Sequence, residues 1–164
     1  MKLPRRSSIA VLLATVLALA GCAGSTIDVA ATITITNIAT GWFDAGVTGG
    51  TNKLVPSASF TVTNGGSKAL GALQVFSVFR FVGESEELGS SMVILAGADA
   101  LGAGATSKPL TVRGVWGFTG QQPRAQMLMH RSFKDARVEI FAKYGAGQFT
   151  RLTEVPIRRQ ILTQ

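Results

Sequence analysis

The chain has 164 residues and a formal charge of +7, enough for one domain of ordinary size with a core of its own. A single cysteine excludes an internal disulfide, and a single histidine excludes histidine-rich metal centres and leaves any Ser-His-Asp relay only one base to use. Glycine is abundant, and with the many Thr, Val and Phe residues it suits strands and turns better than helices.

The chain opens with Lys2, Arg5 and Arg6 followed by an apolar run from Ile9 to Ala20. This is a charged region, a hydrophobic region and then small residues, the layout of an export signal. A run of 12 residues falls short of the ~20 needed to cross a bilayer. It ends in Leu19-Ala20-Gly21-Cys22, and the chain's one cysteine stands directly after Gly21. These four residues resemble the lipobox of bacterial lipoproteins, the signal peptidase II recognition sequence. A signal peptide ahead of an ordinary soluble product is the rival reading, but such a site needs no cysteine. The resemblance implies that residues 1–21 are a signal peptide removed by cleavage before Cys22. It also implies covalent diacylglycerol on the Cys22 sulfur and an N-acyl chain, with residues 22–26 as the lipidated tether. One acyl chain holds a protein only marginally, at ~0.8 kcal/mol per buried methylene, whereas two or three hold it essentially permanently. Ala23 stands where an aspartate resembles the inner-membrane retention signal. The expected location is therefore the periplasmic face of the outer membrane, in a cell that has one. Ala23 to Thr26 extends over only about 13 Å, so the folded part should ride close to the membrane.

Residues 27–164 read as one domain. Ile27, Val29, Ala31, Ile33 and Ile35 alternate with Asp28, Ala30, Thr32 and Thr34 and predict a first strand. The glycine-rich stretch from Gly41 to Asn52 predicts a turn-rich connection, with Trp42 and Phe43 folded back over the core. Leu54 to Asn64 predicts a second strand, closed by Asn64-Gly65-Gly66. Ala72 to Val82 is the most apolar strand: Leu73, Val75, Ser77, Phe79 and Phe81 share one face, and Gln74, Phe76, Val78, Arg80 and Val82 the other. Two largely apolar faces imply a strand covered on both sides, or one with a side kept for a partner. Met92 to Leu95 predicts a short strand and Leu110 to Phe118 another, the latter blurred by Gly114 and Gly117. Pro123 to Phe133 is the one helical segment, with Pro123 suited to a first turn. Asp135 to Tyr144 returns to strand, with Arg137, Glu139, Phe141 and Lys143 outward, and Gly145-Ala146-Gly147 turns it into a last strand from Gln148 to Leu162, interrupted at Pro156.

About seven strands with one short helix between the late ones predict an all-β, antiparallel two-sheet sandwich. The stretch from Phe60-Thr61-Val62-Thr63-Asn64 to Val78-Phe79-Arg80-Phe81 is similar to immunoglobulin-like or fibronectin-like bacterial domains, including the small secreted FxLyD type, although the FxLyD signature itself is absent.

Catalytic parts are scarce. Ser132 and Asp135 lie too near His130 in sequence to form the usual relay, and no catalytic residue is assigned. Gly102-Ala103-Gly104-Ala105 is followed by Pro109 and a strand rather than by a helix, so it lacks the helix N-terminus that a phosphate-cradling loop needs. Carboxylates at metal-ligand spacing are missing, so neither a metal nor a cofactor is expected beyond the covalent lipid. From Cys22 to Ser107 acids outnumber cations, and from Lys108 onward cations outnumber acids. Nucleic acid is not the expected partner of an exported, lipid-anchored domain.

Binding has the better support. With the Val78 and Phe141 strands as neighbours, Phe76, Val78 and Phe141 share an outward face together with Arg80, Arg137 and Lys143. An apolar strip rimmed by cations suits a protein partner, or alternatively an anionic lipid or glycan. The ordinary alternative is that the Pro123 to Phe133 helix covers it. The expectation is a non-enzymatic accessory or binding subunit of an envelope assembly, with a lipid or glycan carrier second and a hydrolase third.

Overall fold

The computed structural model describes residues 27–162. The expected export signal, Cys22 and the expected 22–26 tether lie outside the described residues.

The chain enters through a single helical turn, α1 (Val29–Thr32), where a strand is predicted. Asp28 accepts a hydrogen bond from the Ala31 amide at 3.2 Å, and its carbonyl accepts one from the Thr32 amide at 3.1 Å. An aspartate N-cap ahead of two alanines favours that turn, and it still buries Val29.

Strands β1 (Ile33–Thr48) and β2 (Thr51–Asn64) form a long antiparallel hairpin. Gly49 and Gly50, at φ 58° and 79°, supply the two left-handed residues that a tight hairpin turn requires. Much of the predicted connection is therefore strand, with Trp42 opposite Pro56 and Phe43 opposite Val55. After β3 (Leu70–Phe81) and β4 (Glu87–Leu101) come β5 (Leu110–Arg113), β6 (Phe118–Gly120) and the helix α2 (Arg124–Met129). The chain ends in β7 (Ala136–Tyr144), β8 (Thr150–Pro156) and β9 (Ile161–Leu162).

These strands make a two-sheet sandwich. One sheet has the order β5-β2-β1-β9, with β6 pairing farther along β2, and the other has the order β4-β3-β7-β8. Among the described residues nine strands replace the expected seven or so, because two predicted strands divide. Leu110 to Phe118 splits where Gly114 and Gly117 press against β2: a side chain at Gly117 would overlap the Leu54 carbonyl oxygen. Gln148 to Leu162 splits after Pro156. Its last piece then pairs parallel to β1, and the Trp42 amide donates to Gln160 O at 2.8 Å. The core between the sheets holds Trp42, Leu54, Phe60, Val62, Leu73, Val75, Phe79, Val138 and Ile140.

The start of β1, the end of β2, the start of β3 and the ends of β4 and β7 lie together at one end of the sandwich, where the chain enters at Ile27. Asn64 ties this end together from a fully buried position. Its Nδ2 donates to Lys68 O at 2.8 Å and to Leu101 O and Gly102 O at 3.0 Å, while its Oδ1 accepts from the Gly66 amide at 2.9 Å.

Candidate binding face on the second sheet

Alternation along β3 and β7 sends Leu73, Val75, Phe79, Val138, Ile140 and Ala142 into the core. The intervening residues face outward, and the register sets them in rows: Gln74 opposite Lys143, Phe76 opposite Phe141, Val78 opposite Glu139, Arg80 opposite Arg137. From the other side β4 brings Ile94 opposite Gln74 and Met92 opposite Phe76. All six residues singled out from the sequence, Phe76, Val78, Arg80, Arg137, Phe141 and Lys143, thus stand on the outer side of adjacent strands.

The rows divide into two halves. Nearer the chain-entry end the face is apolar. The Phe76 and Phe141 ring centroids are 6.5 Å apart, Phe149 lies 5.5 Å from Phe76, and Lys143 Nζ sits 4.8 Å from the Phe149 ring centroid. Met92 and Ile94 extend this strip at 54% and 56% exposure. The other half is ionic. Arg80 bonds both Glu139 and Glu87, the latter at 2.5 Å. Arg151 bridges Glu139 at 3.4 Å and Glu154 at 3.2 Å, and Arg137 lies 3.8 Å from Glu154.

Three features of this face differ from the sequence-based expectation. Val78 shares it but is buried, so it supplies packing rather than contact surface. Arg80 and Arg137 are engaged by carboxylates and do not form an open cationic rim. Met92, Ile94 and Phe149 join the strip unforeseen, because membership depends on the β3–β4 register and on where the β7–β8 turn lands. Glu139 carried a local signal, lying on the same alternating face as Phe141, but only the register shows that it reaches Arg80.

The helix packs elsewhere. Met127 and Leu128 of α2 are buried in the core, and Phe133 just beyond it sits 4.7 Å from Trp42 and stacks on Phe118 at 4.3 Å. After α2, His130 Nδ1 and Ser132 Oγ are 2.6 Å apart and exposed. Asp135 instead accepts from Arg159 Nε at 2.7 Å, and that hydrogen bond holds its carboxyl below the usual value of 3.8. Asp44 is likewise lowered, first by its hydrogen bond from Arg124 and then by that from the Gly46 amide. Among the described residues no group of three or more potential metal ligands assembles. An open cleft of about 410 Å³ lies between the β4 edge and the segment leading into β5, lined by Val93, Leu95, Leu101, Leu110, Asp99 and Lys108.

No protein-family model matches the chain, and no curated protein does so either. Among solved structures the chain is similar to the Northeast Structural Genomics Consortium target SoR45, at 12% identity and a TM-score of 0.42, covering 79% of this chain and 88% of that one. It is also similar to AT1g01470 from Arabidopsis thaliana, at 13% identity and a TM-score of 0.45, covering 81% and 83%.

Proposed function

We propose that the chain is a lipid-anchored, non-enzymatic envelope protein that binds a protein partner through the outer face of the β4-β3-β7-β8 sheet. The observation that carries this reading is the strip of Phe76, Phe141, Met92 and Ile94, with Met92 and Ile94 more than half exposed. The solvent face of an antiparallel sheet is ordinarily polar, and clustered aromatic and methionine side chains are what interfaces concentrate. The ion-paired half beside it supplies a polar border with charges of both signs.

A protein partner is favoured over an anionic lipid or glycan because an anion at Arg80 or Arg137 has to displace Glu139, Glu87 or Glu154. The 410 Å³ cleft sets the Asp99 carboxylate and the Lys108 ammonium in one open lining, so it presents no cluster of cations for an anionic headgroup. Binding is favoured over hydrolysis because Asp135, the acid considered for a relay with His130 and Ser132, is engaged by Arg159. The Cys22 lipid would keep this binding domain at the surface of one leaflet.

The test places a photo-crosslinking residue at Met92 and, as a control, at Thr36 on the other sheet, in cells carrying the full chain. Crosslinks to one defined membrane-fraction protein from Met92 but not from Thr36, abolished by Phe141→Asp with an unchanged circular dichroism spectrum, support the reading. Crosslinking that survives Phe141→Asp in the folded chain contradicts it.

A further inference from the structure

Which way the domain faces follows from where the chain enters it. Cys22 to Ile27 is five residue steps, at most about 18 Å even when fully extended. Strand β2 has 14 residues and is about 46 Å long at ~3.3 Å per residue. With Cys22 held in a leaflet, the tether cannot span the sandwich, so an inverted pose with the β1–β2 hairpin on the lipid is excluded. The exposed Trp116 and Val47, at 66% and 64%, lie toward that far end.

A pose lying on the outer face of the β4-β3-β7-β8 sheet meets a second obstacle. It sets an ionic half against the headgroups in which Arg80, Arg137 and Arg151 already balance Glu87, Glu139 and Glu154, so the pose desolvates paired charges and has no net positive charge there to offer the phosphates.

The chain-entry end has the opposite character. Its loops are built from small residues, Gly102-Ala103-Gly104-Ala105 and Gly145-Ala146-Gly147, and Phe149 follows at 39% exposure beneath Lys143. Lys68 and Lys108 are exposed on the neighbouring loops; the acids at this end are Asp28 and Asp99. An aromatic ring under Lys143, on an end that also exposes Lys68 and Lys108, suits the headgroup layer, where each lysine near the surface contributes about 1 kcal/mol of attraction to an anionic leaflet.

We propose that the domain stands upright on an anionic lipid surface on this end, with the Gly145–Phe149 turn in the headgroup layer and the Trp116 end directed away. The proposal rests on the reading of Cys22 as lipidated. It is tested with the full lipidated chain reconstituted into phosphatidylethanolamine–phosphatidylglycerol vesicles whose acyl chains are brominated near the headgroup, with Phe149→Trp and Ala146→Trp as two separate reporters. The expected result is that the added tryptophan emission is strongly quenched in either variant and that the native emission of Trp42 and Trp116 is not. Charge reversal by Lys68→Glu with Lys108→Glu should weaken the quenching without releasing the chain. Vesicle-bound protein whose added tryptophan stays bright, or whose native emission is quenched instead, overturns the pose and leaves the anchor standing. A chain that does not float with the vesicles and has an unmodified Cys22 by mass spectrometry removes the anchor, and the pose with it.

Discussion

Asn64 is the residue on which the chain-entry end depends, because one buried amide meets carbonyls from Lys68, Leu101 and Gly102 and the amide of Gly66. Asn64→Ala strands these backbone groups, and an unsatisfied buried polar group costs about 1–3 kcal/mol. The variant should lose about 2–3 kcal/mol, a fall in Tm of roughly 5–10 °C for a domain of this size; an unchanged melting curve would show that water replaces the amide. From the sequence Asn64 reads as a turn former, which it is, but its carbonyl partners in β4 are brought to it by tertiary pairing and leave no local trace. The Asp135–Arg159 pair makes an independent prediction. Because the folded carboxyl lies below the unfolded value of 3.8, its contribution to stability is complete above that value and is lost as pH falls through the lowered folded value. Denaturant midpoints measured across that acid range should drop for the native chain and drop less steeply for Asp135→Asn.

At the scale of elements, the strands whose period is local are the ones that can be read directly. The two faces of β3 and β7 follow from alternation alone, and their adjacency puts Phe76 beside Phe141. Elements defined by distant partners are not legible in this way. Gly41-Trp42 looks like a turn until β9, far along the chain, lies parallel to it and the glycine leaves room for Leu162. Ile27 to Ile35 alternates like a strand, yet Asp28 caps a helical turn inside it. The break between β5 and β6 has a steric origin that a single substitution can probe. Gly117→Ala drives a methyl group into the Leu54 carbonyl and the Val55 backbone, so it should cost about 1–3 kcal/mol, read as a lower urea midpoint. An alanine variant as stable as the native chain would mean that the 114–117 segment can move away from β2.

For the molecule as a whole, the fold, the proposed binding face and the proposed anchor bear on one another. A two-sheet sandwich with no internal disulfide relies on its packed core. That core is closed by Trp42, Phe118 and Phe133, not by a helix laid over the outer sheet. The outer sheet keeps an aromatic strip beside a self-paired ionic half, and a short tether would set the apolar half nearest the lipid. A partner using that strip would meet it at the membrane surface. The arrangement depends on the chemistry at Cys22. The direct measurement is mass spectrometry of the mature amino-terminal peptide from the membrane fraction, with Cys22→Ser as control. The account predicts a chain beginning at Cys22 that carries diacylglycerol and an N-acyl group, and a Cys22→Ser protein without either. A chain that retains residues 1–21, or begins at Cys22 with a free thiol, would contradict it.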